Sequence, residues 1–473
     1  MKKILTFFSM VFLIANFSWA SNIPVSSEFD FKLALDFATN NNIDTLLLTT
    51  SGGIYTTTDT VYLAIKSPVV IIAAPDLEEP PIFTHSAADS NVLEIFRIMD
   101  DVTFEGVVFD GGHAQSHGMK YALRVGDGED FYPAKVGLNI TINNCYFKDI
   151  YRDKDLEQDG HGLYFLKGVD AGNIKVTNST FENIGYEAIR ISETEKYAID
   201  RCLDTLIVKN CTFINIDNEC VRFYSDQDPE TEDAFIMIEN LTVYNSAVRI
   251  IYLKNASGIP PTNTARTFVR DIIVANARLD GGKGRSDYVI EAQGAGSYVS
   301  HIDTFLMVYD PFTKSDESIK ASKGGTVDTT TIYNFDPEFV DPGNNDFTLT
   351  NGSPAYGMAS DGQALGDLRW SLIPVGINDN PDQQIHSFAL KQNYPNPFNP
   401  STTIEYSVPG ISPVKITIHD ISGKVVEEVY NGMVTAGTHQ VTWNAPSTIS
   451  SGVYFYRIAA GKNVETRKMM FIK

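Results

Sequence analysis

Ile140-Thr141-Ile142-Asn143-Asn144 is one copy of a five-residue template, apolar-x-apolar-x-Asn, whose recurrence decides the fold. It returns as Ile174-Lys175-Val176-Thr177-Asn178, Leu206-Ile207-Val208-Lys209-Asn210, Ile236-Met237-Ile238-Glu239-Asn240 and Ile272-Ile273-Val274-Ala275-Asn276. Three residues after these Asn comes a large apolar residue: Phe147, Phe181, Phe213, Val243 and Leu279. Val102-Thr103-Phe104-Glu105-Gly106, with Phe109, extends the series toward the N-terminus, and Leu306-Met307-Val308-Tyr309-Asp310 extends it toward the C-terminus. Successive fifth positions lie 38, 34, 32, 30, 36 and 34 residues apart. A repeat of this length marks an array of stacked units, none of which can bury its apolar face alone.

Each unit holds a second alternating run: Leu123-Arg124-Val125, Leu163-Tyr164-Phe165, Ile189-Arg190-Ile191, Val221-Arg222-Phe223 and Val248-Arg249-Ile250. Period-2 alternation sends Ile, Leu and Val inward and the residues between them outward. The pattern predicts an all-β chain built on a right-handed parallel β-helix with two or three short strands per coil, coils stacking about 4.8 Å apart. An Asn at one corner of every coil can donate its amide to one neighbour and accept from the other, forming a ladder. The sequons at Asn139, Asn178, Asn210 and Asn240 then read as by-products of that ladder. Solenoid ends need caps. Phe31, Ala34, Leu35 and Ala38 stand at helical spacing behind Ser26 and Ser27, which predicts an N-terminal helical plug with one of those serines as N-cap.

The chain has 473 residues, 37 basic and 59 acidic, a net charge of −22. The acidity sits in the middle: residues 1–20 carry +2 and residues 388–473 carry +3, leaving −27 for residues 21–387. Such a chain is a poor nucleic-acid binder, because phosphate contacts come from Lys and Arg. Lys2-Lys3, the apolar run Ile4–Phe17 and Ser18-Trp19-Ala20 predict a secretory signal peptide over residues 1–20. No later run reaches the roughly 18 apolar residues of a transmembrane helix. The β-helix domain is expected over residues 21–370, a Pro/Gly/Asn-rich linker over 371–387, and a small C-terminal β-sandwich over 388–473. The sandwich rests on alternating runs at 402–408, 414–419, 439–444, 453–458 and 467–472.

That last region resembles a known family. Leu390-Lys391-Gln392-Asn393-Tyr394-Pro395-Asn396-Pro397-Phe398-Asn399-Pro400, Ile421-Ser422-Gly423-Lys424, Gly452-Val453-Tyr454-Phe455-Tyr456 and Lys468-Met469-Met470-Phe471-Ile472-Lys473 are similar to the type A C-terminal sorting domain of the type IX secretion system. The resemblance implies an interaction with that machinery and a secreted or outer-surface location, reached through the periplasm. The solenoid, with Phe31–Tyr55 as first coil and Asp336-Pro337-Glu338-Phe339-Val340-Asp341 through Asn351-Gly352-Ser353-Pro354-Ala355 as closing coil, resembles secreted β-helix proteins of the pectate-lyase-like superfamily.

Candidate chemistry gathers on the second run of each coil. Its outward position reads Arg124, Tyr164, Arg190, Arg222, Arg249, and two residues earlier stand the small residues Ala122, Gly162, Ala188, Cys220 and Ala247, expected to form a floor beside the guanidinium row. Arginine recognises carboxylates and sulfates in bidentate fashion, so an anionic polysaccharide is the expected ligand, with Arg124 and Arg249 as binding residues. Acidic neighbours that merely neutralise the row are the alternative. Glu187 and Glu219 each precede an Arg by three residues, and two carboxylates on adjacent coils need a cation or an Arg between them. The likeness to chondroitinase-B and alginate-lyase-type enzymes implies that Glu187 and Glu219 bind Ca2+, that Arg222 is the acid and that Arg190 stands at the base position, where those enzymes carry Lys. Such enzymes abstract the proton next to a uronate carboxyl and eliminate the leaving sugar. A free Arg is a poor base, so His161 and Tyr164 are alternative acid/base groups. A non-catalytic glycan-binding surface protein is the second reading. A hydrolase of the polygalacturonase sort ranks last, since the groove strands show no compact Asp pair. Acid-rich stretches at 153–159 and 226–233 lack the full EF-hand pattern. Cys145 and Cys211 fall two coils apart, beyond disulfide reach, while pairings with Cys202 and Cys220 stay open.

Overall fold

The computed structural model describes residues 22–27, 30–57, 62–85, 93–112, 118–126, 136–152, 159–166, 168–192, 203–224, 234–247, 249–254, 267–277 and 289–293; the strands 302–303, 306–309, 319–322, 327–328 and 332–333; and residues 335–372, 389–408, 412–421, 423–434, 437–446, 448–460 and 463–473. The signal-peptide expectation, most of the linker, both acid-rich loops except Asp159, Cys202, Val248 and Leu279 lie outside them. The chain divides into two compact units, 1–334 and 335–473.

The first unit is a parallel β-helix. Strands Leu138–Asn143, Ala171–Thr177 and Leu203–Ile216 pair in parallel, each joined to its counterpart one coil on. Strands Tyr146–Ile150 and Thr180–Ile184 form a second limb of the same sheet, which meets the first limb in the long strand Leu203–Ile216. The third side is a separate parallel sheet running through Glu94–Ile98, Tyr121–Val125, His161–Phe165, Ile189–Ser192, Val221–Tyr224, Ile251–Lys254 and Ile290–Gln293. The inward residues form one continuous core, within which Phe109, Phe147, Phe181 and Phe213 stack ring on ring at 4.6, 4.5 and 5.1 Å.

The corners explain the Asn. Asn144, Asn178, Asn210 and Asn240 adopt left-handed φ values of 51–55°, a conformation Asn tolerates better than most residues. The next member of that column is Asp271, not Asn276, because Glu239 pairs with Arg270 and Leu241 with Ile272. Asn276 instead follows Asn245. The five-residue template occurs twice per coil, so a slip from one limb to the other leaves the pattern intact and only the pairing exposes it. The more continuous ladder is in this second column: Asn183 donates to Asp149, Asn215 to Asn183, Asn245 to Asn215 and Asn276 to Asn245, over 2.8, 2.8, 2.6 and 3.4 Å. In the first column Asn210 donates to Asn178 at 3.3 Å, but Asn210 Oδ1 and Asn240 Nδ2 are buried without partners. Replacing Asn215 by Ala should cost about 2 kcal/mol, from an Ala held at φ 54° and two lost hydrogen bonds. Asn215→Gly, free of the φ cost, should lose about half as much; equal losses in denaturant titrations would refute the conformational share.

The helical plug spans Phe31–Asn41 and buries Phe31, Ala34, Leu35 and Ala38, as the spacing predicts. Its N-cap is Asp30, whose side chain accepts from Lys32 N at 2.9 Å; the Ser27 backbone is tied instead to Thr50 Oγ1. Phe31 packs edge-on against Tyr55 and Phe83.

In the second unit, Phe339–Asp341 pairs antiparallel with Asp346–Leu349, and Phe347 packs edge-on against Phe339 and Trp370. The sandwich beyond it has one sheet of Ala389–Leu390, Ser401–Val408 and Gly437–Asn444, and one of Val425–Val434, Ser412–His419, Gly452–Ala460 and Asn463–Phe471. Strand Val425–Val434 was hidden from alternation because two register irregularities interrupt its pairing. The Asn393 motif is structural: its amide donates to Pro395 O and Thr402 Oγ1, and Tyr456 OH donates to Lys391 O.

Candidate functional site

Parallel pairing places two columns side by side on the second sheet. One reads Arg97, Arg124, Tyr164, Arg190, Arg222, Tyr252 on successive coils. The other, three residues earlier on each coil, reads Glu94, Tyr121, His161, Glu187, Glu219, Arg249 by the same register. Arg249 therefore belongs to the carboxylate column, and Tyr252 takes the place expected for it. Val248-Arg249-Ile250 and Ile251-Tyr252-Leu253 share one polarity pattern, so only the pairing of Val221 with Ile251 separates them.

The small residues are not an exposed floor. Ala122, Ala188 and Cys220 belong to the apolar core. The strands begin at Ile189 and Val221, and the residue before each turns inward; Ile250 O accepts from both Cys220 N and Val221 N. That turn brings Glu187 and Glu219 onto the arginine side. Gly160 and Gly162 permit the neighbouring close approach: a Cβ at Gly160 would lie 1.8 Å from Ile150 O, and one at Gly162 2.6 Å from Ala188 O. Between them His161 N donates to Lys120 O at 2.7 Å.

Glu187, fully buried, is the hub. Its Oε1 accepts from Arg190 Nη1 and Arg222 Nη1, each at 3.3 Å, and His161 Nδ1 lies 3.0 Å from Oε2. Neither of these two atoms has another hydrogen-bond partner. Arg222 also reaches Glu219 Oε1 at 3.7 Å, Arg249 is bound to Glu219 through Nε at 3.1 Å and through Nη2, and its Nη1 meets Glu291 at 2.5 Å. The guanidinium expected between the two carboxylates is thus Arg222. Upstream, Glu94 pairs with Arg97 through Nε at 2.8 Å and lies 3.5 Å from Arg124 Nη1. Five arginines face Glu94, Glu187 and Glu219 along these columns and Glu291 one coil further on, so the face carries a slight positive excess within an acidic unit.

Burial pushes the His161 imidazole below its usual range, against the pull of Glu187. Burial opposes the Glu187 charge, but His161, Arg190 and Arg222 together hold its carboxyl below the usual range. Burial likewise opposes the Arg190 charge and is outweighed by Glu187, so Arg190 is held more firmly as a cation than a free Arg. A guanidinium held in this way is a still poorer base than a free Arg. Aromatic rings complete the surface: Tyr164 lies 4.7 Å from His161 and 5.2 Å from the Arg190 guanidinium, Tyr121 stacks 5.4 Å from His161, and Arg249 lies 3.7 Å over Tyr252.

The glutamates do not fit calcium. Both are fully buried and engaged by guanidinium groups, and among the described residues no three His, Cys, Asp or Glu side chains gather as a metal would require. Cys145, Cys211 and Cys220 are buried. Sequence reasoning missed Glu94 and Arg97, although Glu94-x-x-Arg97 repeats the spacing of Glu187-x-x-Arg190 and Glu219-x-x-Arg222. It also missed Tyr224, Tyr252, Lys254 and Glu291.

Two family models match the chain. Residues 392–473 match the secretion system C-terminal sorting domain, and residues 236–370 match a domain of unknown function, DUF5123, which spans the later coils and the closing segment. No curated protein matches the chain. The sorting domain marks a protein exported by the type IX system to the outer cell surface or the extracellular space. No helix among the described residues is long and apolar enough to cross a membrane.

Proposed function

We propose that this exported β-helix protein holds an anionic, uronate-containing polysaccharide along the Arg–Tyr face of its second sheet and cleaves it by β-elimination, as the pectate-lyase-like resemblance implies. The observation that carries the reading is the Arg190–Arg222 pair. The two side chains stand on adjacent coils beside Tyr164, and among the described residues each engages carboxylates through Nη1 alone. The Nε atoms of both are buried, but the side chains keep 19 and 17 % exposure, which leaves their Nη2 groups to meet a uronate carboxylate, whose neutralisation stabilises the enolate-like charge that forms when the adjacent proton leaves. Arg190 and Arg222 are then charge stabilisers in place of base and acid. The base is the His161–Tyr164 pair: Tyr164 is partly exposed and meets the substrate, and the His161 ring lies 4.7 Å from it with the Glu187 carboxylate 3.0 Å from its Nδ1 to steady a proton it takes up. Arg124 extends the binding face. Arg249, engaged on both sides by Glu219 and Glu291, braces the coils instead.

The purified protein, incubated with a panel of uronate polymers, should generate the ultraviolet absorbance of unsaturated products. Arg190→Ala and Arg222→Ala should each reduce that rate by about 10²–10³-fold. Silence across the panel would sink the lyase reading. The 3 % exposure of His161 favours the second reading, non-catalytic glycan binding, whose signature is retention of the same polymers without product.

A further inference from the structure

The second sheet has a third register column in which Ser192, Tyr224, Lys254 and Gln293 align on successive coils. Lys254 Nζ donates to Tyr224 OH over 2.9 Å and stands 4.2 Å from the centre of its ring. Arg222, two residues before Tyr224 on the same strand, places its guanidinium carbon 5.6 Å from that ring and 5.4 Å from the ring of Tyr252. Tyr224 and Lys254 are both partly exposed, so a bound chain can touch them.

We propose that Tyr224 is the general acid of this face and Lys254 its positioning residue, an assignment that rests on the lyase reading above. The Tyr224 oxygen accepts a hydrogen bond from the Lys254 ammonium, so its own hydrogen must point away from Lys254. When that hydrogen leaves, the resulting phenolate is already faced by an ammonium and a guanidinium, and no solvent has to reorganise around the new charge. Position argues the same way. A carboxylate resting on Arg190 and Arg222 has Tyr164 one coil before Arg190, and Tyr224 on the strand of Arg222 itself. An elimination needs two proton transfers at different atoms, and Tyr164 and Tyr224 give the face a partly exposed hydroxyl on each side of the arginine pair.

The C–H bond next to the carboxylate breaks and its proton goes to the His161–Tyr164 pair. The electron pair forms the new C=C bond as the C–O bond to the leaving sugar breaks. The Tyr224 O–H supplies the proton to that oxygen; Tyr224 is reprotonated from water, and the His161–Tyr164 pair returns its proton to water.

The test compares two substrates, the polysaccharide and a uronate whose leaving group is an aryl ether needing no acid. Tyr224→Phe should lose about 10²-fold or more on the polysaccharide, the usual share of a general acid, and stay near the unsubstituted rate on the aryl ether. Tyr164→Phe should lose on both. Lys254→Met should share the Tyr224→Phe pattern, with Lys254→Arg partly restoring the rate; it carries the comparison if Tyr224→Phe fails to fold. Tyr224→Phe within twofold of the parent on the polysaccharide, or equal losses on both substrates, overturns the assignment while the lyase reading stands. No product from the unsubstituted protein on either substrate overturns both.

Discussion

Glu187→Ala should destabilise the β-helix by about 3–5 kcal/mol, the usual consequence of removing one partner from a buried charge network. Glu187 is wholly buried and accepts from Arg190 and Arg222 while lying against His161. Without it two guanidinium groups lose their nearest counter-charge, and the buried His161 loses the carboxylate beside its Nδ1. Glu187→Gln keeps the shape and an acceptor oxygen but not the charge, so it should fall between the parent and Ala. Denaturant unfolding of the full chain, following the β-helix transition, measures the order; a Glu187→Ala loss under about 1 kcal/mol would show the network to be surface-like.

The same group sets an acid limit. In the unfolded chain Glu187 takes a proton near its ordinary 4.5, whereas in the fold it does so only below that value. Its stabilisation is therefore full above pH 4.5 and is lost as pH falls toward the folded value. His161 acts earlier in the same direction. Its folded affinity for a proton lies below the ordinary 6.5, so below pH 6.5 the unfolded chain binds a proton the fold resists. Stability should fall from about pH 6.5 downward, and His161→Gln should flatten the upper part of that slope. An unchanged slope would remove His161 from the account.

These residues show what a sequence can and cannot disclose. The apolar alternation was legible because inward Ile, Val and Phe have one role on every coil. The coil-to-coil register was not, because both limbs use the same five-residue template, which is how Asn276 takes the place of Asp271. Arg249 was misplaced for the same reason, two apolar-x-apolar triplets lying end to end. The Glu187–Arg190 pairing was anticipated from spacing. The inward turn at Ala188, which moves Glu187 out of the alternating pattern, is made by backbone hydrogen bonds that polarity does not encode. Tyr224 and Lys254 are thirty residues apart and meet only through the pairing of their strands.

The second large effect is expected in the core. Phe181 is fully buried between Phe147 and Phe213, with ring planes 7° and 8° from parallel. Phe181→Ala removes an aromatic side chain from a close-packed site, which costs about 3–5 kcal/mol, and breaks two stacked pairs together. Position raises the consequence. A coil in a solenoid is stabilised by its two neighbours, so a defect in the middle uncouples the coils on either side. Unfolding should broaden or split into two steps, whereas Phe181→Leu should cost less and stay cooperative. The damage should also reach the candidate site. A Cβ on Gly162 would lie 2.9 Å from the Phe181 ring, so that ring is what the His161–Gly162 strand rests on. Removing it frees the backbone that holds His161 against Glu187. Phe181→Ala should then lower turnover by more than its loss of folded protein, measured below its unfolding transition. Unchanged turnover per folded molecule would separate the core from the chemistry.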